Sequence, residues 1–161
     1  MSNVWLDYKG LQEFIKLSQN PEYQVVMVGV PEDLQKRLPK EIIAIGRTSN
    51  QQELAAIYSL ADVFVNPTYN DSFPTVNLEA LACGTPVVTY RTGGSPEAVD
   101  ENTGIVVEQG DFYGLCAAIE EVKKNGKAHY SAACRKRAEE HFNKDACFSK
   151  YIDLYNNLIN A

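Results

Sequence analysis

Five short apolar runs, separated by longer stretches of helical periodicity, constrain this chain more than any other feature. They are "YQVVMVG" (Tyr23 to Gly29), "EIIAIG" (Glu41 to Gly46), "DVFVNP" (Asp62 to Pro67), "PVVTY" (Pro86 to Tyr90) and "GIVVE" (Gly104 to Glu108). Each is rich in β-branched residues and reads as a strand buried on both faces, as in a parallel sheet. Between them, "KGLQEFIKLSQN" sets Leu11, Phe14, Ile15 and Leu17 on one side of a helix, and "NQQELAAIYSLA" does the same with Leu54, Ile57, Tyr58 and Leu60. "TVNLEALACG" closes on Gly84, a plausible helix-ending glycine. "DFYGLCAAIEEVKKNG" has an acidic start, a basic last turn and a terminal glycine, matching the helix dipole at both ends. Two more helices are predicted over about 128–142 and 144–159.

Alternating β and α segments imply right-handed crossovers and a Rossmann-like, doubly wound parallel sheet covered by helices, an α/β fold. With 161 residues the chain makes one domain, 1–161, large enough to bury a core. It opens almost directly on "KGLQEFIKL", with only Ser2 to Trp5 available as a preceding strand. A doubly wound domain usually begins with a full strand, so the sequence reads as a piece of a larger fold.

The formal net charge of −6 disfavours a phosphate backbone as partner, and no Lys/Arg cluster is interleaved with aromatics. The basic stretch Lys123 to Lys150 is laced with Glu120, Glu121, Glu139, Glu140 and Asp145, a solvated surface pattern. No apolar run is long enough to span a bilayer, and no signal peptide is visible. Cys83, Cys116, Cys134 and Cys147 form no CxxC pair, and His129 and His141 fall late in the chain, so no metal site is expected. Scattered cysteines without a secretory signal suggest reduced core thiols in a cytoplasmic protein.

The stretch from Asn66 to Val99 concentrates the chemistry. In open α/β sheets ligands bind outside the carboxyl ends of strands, at helix N-termini. Asp71 lies in the loop after "DVFVNP"; Pro74 sets the entry angle of a helix starting near Thr75, and Glu79 falls one turn inside it. Two carboxylates there suit a ligand with several hydroxyls, since each can accept two hydrogen bonds from a vicinal diol. The helix N-terminus between them suits phosphate. Spacing alone equally allows Glu79 to complement the helix dipole and Asp71 to be a solvated turn residue. Next comes "RTGGSPEAV", where Gly93-Gly94 lets a ligand approach the backbone, Ser95 is expected as N-cap and Pro96 as the first helical residue. All three features, Asp71, Glu79 and Gly93, are expected to line one cleft.

These residues resemble the donor-binding signature of the GT-B glycosyltransferases of family 4, the large retaining group. The signature is an acid, seven residues and a glutamate, then "EALACG-PVV" and a Gly-Gly turn. Here it runs from Asp71 through Glu79 to Gly93-Gly94, and the resemblance extends over most of the chain, from "KGL" to "YIDLYNNLI". It implies the C-terminal, donor-binding half of a GT-B fold, without the N-terminal acceptor-binding domain. By resemblance Glu79 holds the nucleotide ribose and Asp71 the donor sugar's reacting face. Ser72 and the backbone N–H groups of Phe73 and Thr75 meet sugar and phosphate, and Lys9 neutralises the diphosphate. Three departures stand out. Position 71 is Asp where Glu is usual; Pro74 replaces a glycine and removes an N–H; the family's arginine would fall at Val4. Arg47, also at a strand's carboxyl end, is a candidate replacement cation, with surface salt-bridging as its other reading.

The implied function is retaining transfer of a sugar, in the manner of a hexosyltransferase, from a nucleotide-diphosphate-sugar to an acceptor. Polysaccharide or glycolipid biosynthesis is the family context, with no cofactor or metal. The isolated piece is expected to be inactive, and a full-length protein could associate peripherally with a membrane. A nucleotide-sugar-binding module without catalysis is the alternative. A dinucleotide-dependent oxidoreductase is disfavoured because no GxGxxG follows a strand.

Overall fold

The computed structural model describes residues 7–160. The segment Ser2 to Trp5 and position Val4 lie outside the described residues. After a 3-10 turn, Asp7–Lys9, the helices are α1 (Leu11–Leu17), α2 (Glu32–Gln35), α3 (Gln51–Leu60), α4 (Thr75–Ala82), α5 (Ser95–Ala98), α6 (Phe112–Asn125), α7 (Lys127–His141) and α8 (Lys144–Ile159). The strands are β1 (Val25–Val28), β2 (Ile42–Ile45), β3 (Phe64–Asn66), β4 (Val87–Tyr90) and β5 (Gly104–Val107). All five lie within the expected apolar runs, and every pairing is parallel.

Among the described residues the strands form two parallel sheets, β1-β2 and β3-β4-β5, where one continuous sheet was expected. The apolar runs give strand identity, but not which edges meet. Burial is also less uniform than predicted. Only β4, the middle strand of its sheet, is buried along its whole length. In the other sheet Val25 and Ile42 pair on the core side, while their neighbours Val26 and Ile43, a cross-strand pair, remain 41% and 48% exposed. A two-stranded sheet with one covered face leaves alternate side chains outside.

Local signals set the helix ends. Asn50 caps α3 through Glu53 N–H, Asp111 caps α6 through Gly114 N–H, and Asn143 caps α8 through the N–H groups of Asp145 and Ala146. Each satisfies donors that a helix start otherwise leaves unpaired. Gly84 takes a left-handed φ of 71° just past α4, the expected stop. The short α2 was not among the predicted helices, although Glu32 and Asp33 stand in its first turn.

Ala80 and Leu81 of α4, Val87, Val88 and Tyr90 of β4, Leu115 of α6 and Cys134 of α7 build the core under the second sheet. All four cysteines are free thiols, but Cys134 alone is buried, and burial pushes its pKa up to about 12. Half of the lysines and arginines of the late helices pair with acids among the described residues, as in Arg135–Glu139, Lys136–Glu140 and Arg137–Asp100. α8 carries Phe148, Tyr151, Ile152, Tyr155 and Ile159 exposed on its surface. No helix of the described residues is long and apolar enough to cross a membrane.

Leu81 is fully buried where α4 meets the sheet. Leu81→Ala is expected to lower unfolding free energy by about 2–5 kcal/mol, because the lost burial is joined by a cavity. Urea denaturation with an unchanged slope measures it.

Candidate functional site

The loop that follows β3, residues 67–73, is held from three sides. From one side comes the 3-10 turn: Tyr69 N–H donates to the Tyr8 carbonyl at 2.7 Å, and the Thr68 hydroxyl reaches the same carbonyl at 3.2 Å. From beneath, the Thr92 hydroxyl donates to Thr68 O at 2.8 Å, and Gln109 Nε2 donates to Tyr69 O at 2.7 Å. From the far side, Gly94 N–H donates to Ser72 O at 2.8 Å.

Two glycines make this fit possible. Gly10 has φ 79°, and a Cβ there would stand 2.5 Å from the Pro67 carbonyl oxygen. Gly93 has φ 48°, and a Cβ there would stand 1.9 Å from the Asp71 carbonyl oxygen. Both take a left-handed backbone that L side chains rarely adopt. The sequence reading gave Gly93-Gly94 to a close-approaching ligand; in the structure the approaching backbone is the protein's own loop. A Cβ on Gly94 would likewise meet the Phe73 ring at 2.6 Å and Ser72 O at 2.7 Å.

Held in this way, Asp71 forms an ion pair with Lys9, Oδ2 to Nζ at 2.7 Å, each side chain 21% exposed. The two residues assigned to sugar and diphosphate therefore sit together, 62 positions apart in sequence. Both are among the residues lining a cavity of about 850 Å³, together with Phe73, Pro74, Thr75 and Val76 and many apolar residues of β1, β3, α1 and α3. Pro74 is the residue before α4, extended at φ −73°, ψ 102°, and offers no side-chain cap. Among the described residues the N–H groups of Phe73 and Thr75 meet no acceptor, as expected at an uncapped helix start. The Phe73 ring tilts against Phe142 with 6.3 Å between centroids, and Ser72 is exposed.

Glu79 sits on the α4 face shared with Thr75 and Val76, four and three residues earlier. Its Oε2 accepts from the Tyr58 hydroxyl at 3.0 Å. Tyr58 lines the cavity, so Glu79 adjoins the same region through Tyr58 without itself forming the wall. Burial, then the Glu79 charge, pushes the Tyr58 pKa up and keeps its hydroxyl a donor. The Asn66 amide at the end of β3 donates to Asn77 Oδ1 at 2.8 Å, tying α4 to the strand, while Asn77 Nδ2 is buried without a partner. Sequence reasoning missed Tyr58, counted as an apolar face residue, and Asn77, whose signal was a poor helix former inside a helix.

One sequence expectation needs correction. The residue before α5 is Gly94, so Ser95 is the first helical residue and Pro96 the second; Ser95 Oγ is buried with no partner. Arg47 follows β2 exposed, and among the described residues it joins no ion pair or side-chain hydrogen bond and does not line the cavity. No group of three His, Cys, Asp or Glu that could hold a metal occurs among the described residues.

Residues 1–141 match the family model described as "Glycosyl transferases group 1". The chain is 52% identical over 61 residues to the D-inositol 3-phosphate glycosyltransferase of Corynebacterium jeikeium, covering 37% of this chain and 15% of that protein. It is 37% identical over 107 residues to the enzyme of the same name from Saccharomonospora viridis, covering 65% and 25%. The chain thus spans a quarter or less of these relatives. Among solved structures, the sucrose-phosphate synthase of Thermosynechococcus elongatus superposes with TM-score 0.82 at 27% identity, over 96% of this chain and 43% of that one. Anabaena HepE, solved in complex with UDP-glucose, superposes with TM-score 0.74 at 19% identity, over 95% and 46%.

Gly93→Ala has to displace the Asp71 carbonyl and hold alanine in a left-handed conformation. An unfolding free energy lower by at least about 1–2 kcal/mol is expected. Urea titration checks it, and an unchanged midpoint would contradict the clamp.

Proposed function

The chain belongs to the group 1 glycosyl transferases, and from that premise we propose that it is the donor-binding half of a two-domain, retaining GT-B transferase. The donor is a nucleotide-diphosphate-sugar, and the acceptor is held by a domain outside these 161 residues. The observation that carries this reading is the Lys9–Asp71 pair lining the cavity together with Phe73, Pro74 and Thr75 at the start of α4. UDP-glucose in HepE, a neighbour in fold, supports the donor class. The family's "family 4" classification, a role in polysaccharide or glycolipid synthesis and a cytoplasmic location belong to the same proposal.

The chemistry follows from charge and position. Transfer breaks the bond between the sugar's anomeric carbon and the diphosphate oxygen and forms a bond from that carbon to an acceptor hydroxyl oxygen, whose proton passes to the departing diphosphate. Negative charge builds on the departing diphosphate. Lys9, the N–H groups at the start of α4 and Arg47 at the end of β2 are the positive groups offered to it. Asp71 spends Oδ2 on Lys9 and keeps Oδ1 for a sugar hydroxyl. Glu79 accepts from Tyr58 through Oε2 and keeps Oε1 for the ribose diol. Phe73 and Thr75 N–H groups reach sugar and phosphate, Ser72 lies exposed between them, and Gly93-Gly94 hold the loop in place. No metal enters these roles.

Glu79→Gln is expected to weaken UDP or GDP binding by about 1–3 kcal/mol, since a charged acceptor for the ribose becomes neutral. Asp71→Asn is expected to leave nucleoside diphosphate affinity unchanged or higher, because Lys9 is released to the phosphates, yet to lower turnover of a complete transferase. Calorimetry on this chain, with NAD as the non-binding control, tests the first pair; the reverse order would mean the roles are exchanged. A non-catalytic module would bind equally well but show no turnover loss, because none would exist.

The 161 residues alone are expected to bind nucleoside diphosphate without transferring sugar, since positioning both substrates needs the acceptor side. Product NMR from the complete protein is expected to show a retained anomeric configuration. Inversion, or transfer by this chain alone, would overturn the assignment.

A further inference from the structure

The buried face of α1 carries an acid. Glu13 is 4% exposed, one turn before the buried Leu17, where an apolar side chain would complete the helix face. Burying a carboxylate costs several kcal/mol unless hydrogen bonds offset it. Its Oε1 accepts from the Tyr69 hydroxyl at 2.8 Å, and its Oε2 is buried with no partner. Beside them lies Tyr90, fully buried at the end of β4, its ring edge-on to Tyr69 with 5.6 Å between centroids and its hydroxyl unpartnered. Burial, reinforced by Glu13, raises the pKa of both phenols, so Tyr69 is held as a donor.

Tyr69 occupies the middle of the loop that carries Asp71, two residues on. Its N–H goes to the Tyr8 carbonyl, next to Lys9, and its carbonyl accepts from Gln109. Its side chain runs down to α1, the helix that begins just after Lys9. The loop bearing the acid and the turn bearing the cation are thus joined through side chains by Lys9–Asp71. The loop is also tied to the helix beneath by Glu13–Tyr69, in addition to the bonds that Tyr69 N–H and the Thr68 hydroxyl make to the Tyr8 carbonyl.

We propose that Glu13 is a positioning residue of the donor site, which through Tyr69 fixes the loop so that Asp71 stays on Lys9. The proposal rests on the donor-site reading for its functional meaning, while its geometric content stands apart from it. An apolar residue at position 13 would suit the core and leave the Tyr69 hydroxyl without its acceptor.

The test uses the 161-residue chain with Tyr69→Phe, Glu13→Leu, the double variant and Glu13→Gln, which keeps an acceptor oxygen for Tyr69. Two readouts are taken well below the melting temperature of each. The first is the rate at which a trace amine reagent labels Lys9, normalised by mass spectrometry to exposed Lys40. The second is UDP-glucose affinity by calorimetry. Tyr69→Phe and Glu13→Leu are expected to raise Lys9 labelling several-fold and to weaken binding about tenfold, as for the loss of one hydrogen bond. The double variant is expected to be no worse than either single one, and Glu13→Gln to stay close to the unsubstituted chain. Lys9 labelling unchanged by both single variants, or additive effects in the double variant, overturns the proposal. If Glu13→Leu does not fold, Tyr69→Phe with its exposed ring decides the labelling arm. If the unsubstituted chain binds no UDP-glucose, the donor reading fails, and labelling still decides whether Glu13 positions the pair.

Discussion

The close approach of the loop at residues 67–73 to two glycine turns is the constraint on which the site depends. Gly10 admits the Pro67 carbonyl and Gly93 admits that of Asp71, so the loop is pinned near both ends by backbone contacts that any Cβ would break. Along the loop the carbonyls of Thr68, Tyr69 and Ser72 accept from Thr92, Gln109 and Gly94, and the Tyr69 N–H donates to the Tyr8 carbonyl. A segment held at these points has less freedom to lose. Asp71 therefore meets Lys9 without paying most of the ordering entropy that usually erodes a partly exposed ion pair.

That pre-ordering changes how the ion pair is understood. A lysine at 21% exposure whose charge is already matched by an aspartate is not an idle cation awaiting phosphate. In the proposed donor site a diphosphate would have to share Nζ with Asp71, and donor binding would couple the two groups, phosphate drawing on the lysine while hydroxyls replace it on the carboxylate. With a glutamate at 71, one methylene longer, the pair would have another geometry on the same clamped backbone. The aspartate is the residue whose reach matches the present 2.7 Å contact.

The fold was legible where its causes are local. Asp111 and Gly126 bound α6, Gly84 ends α4, and five β-branched runs contain five strands, because caps, φ preferences and periodicity act over a few residues. The signature acids were legible by their spacing and by resemblance. What the sequence concealed is non-local. Successive strands put Gly93 and Asp71 on one cleft, but nothing at position 93 announces that the two backbones will touch, and nothing at 13 announces Tyr69. The split between β1-β2 and β3-β4-β5 depends on which strand edges meet, which periodicity does not encode. Ser95 was misplaced by one position because Gly94 took the capping role, and a serine before a proline looks the same in either register.

The same distinction separates the two cations. Lys9 belongs to the clamp: its turn, its neighbour Gly10 and its partner Asp71 are all tied to the loop after β3. Arg47 stands at the end of β2, in the other sheet, exposed and without an ion pair among the described residues. A guanidinium is weakly hydrated and suited to bidentate contact with phosphate, so an uncommitted arginine gives up less on meeting an anion than a lysine already paired. In the proposed donor site Lys9, already paired, would mainly hold Asp71 in register, whereas Arg47, which is not among the residues lining the cavity, would serve as a cation there only if the bound donor reaches the end of β2.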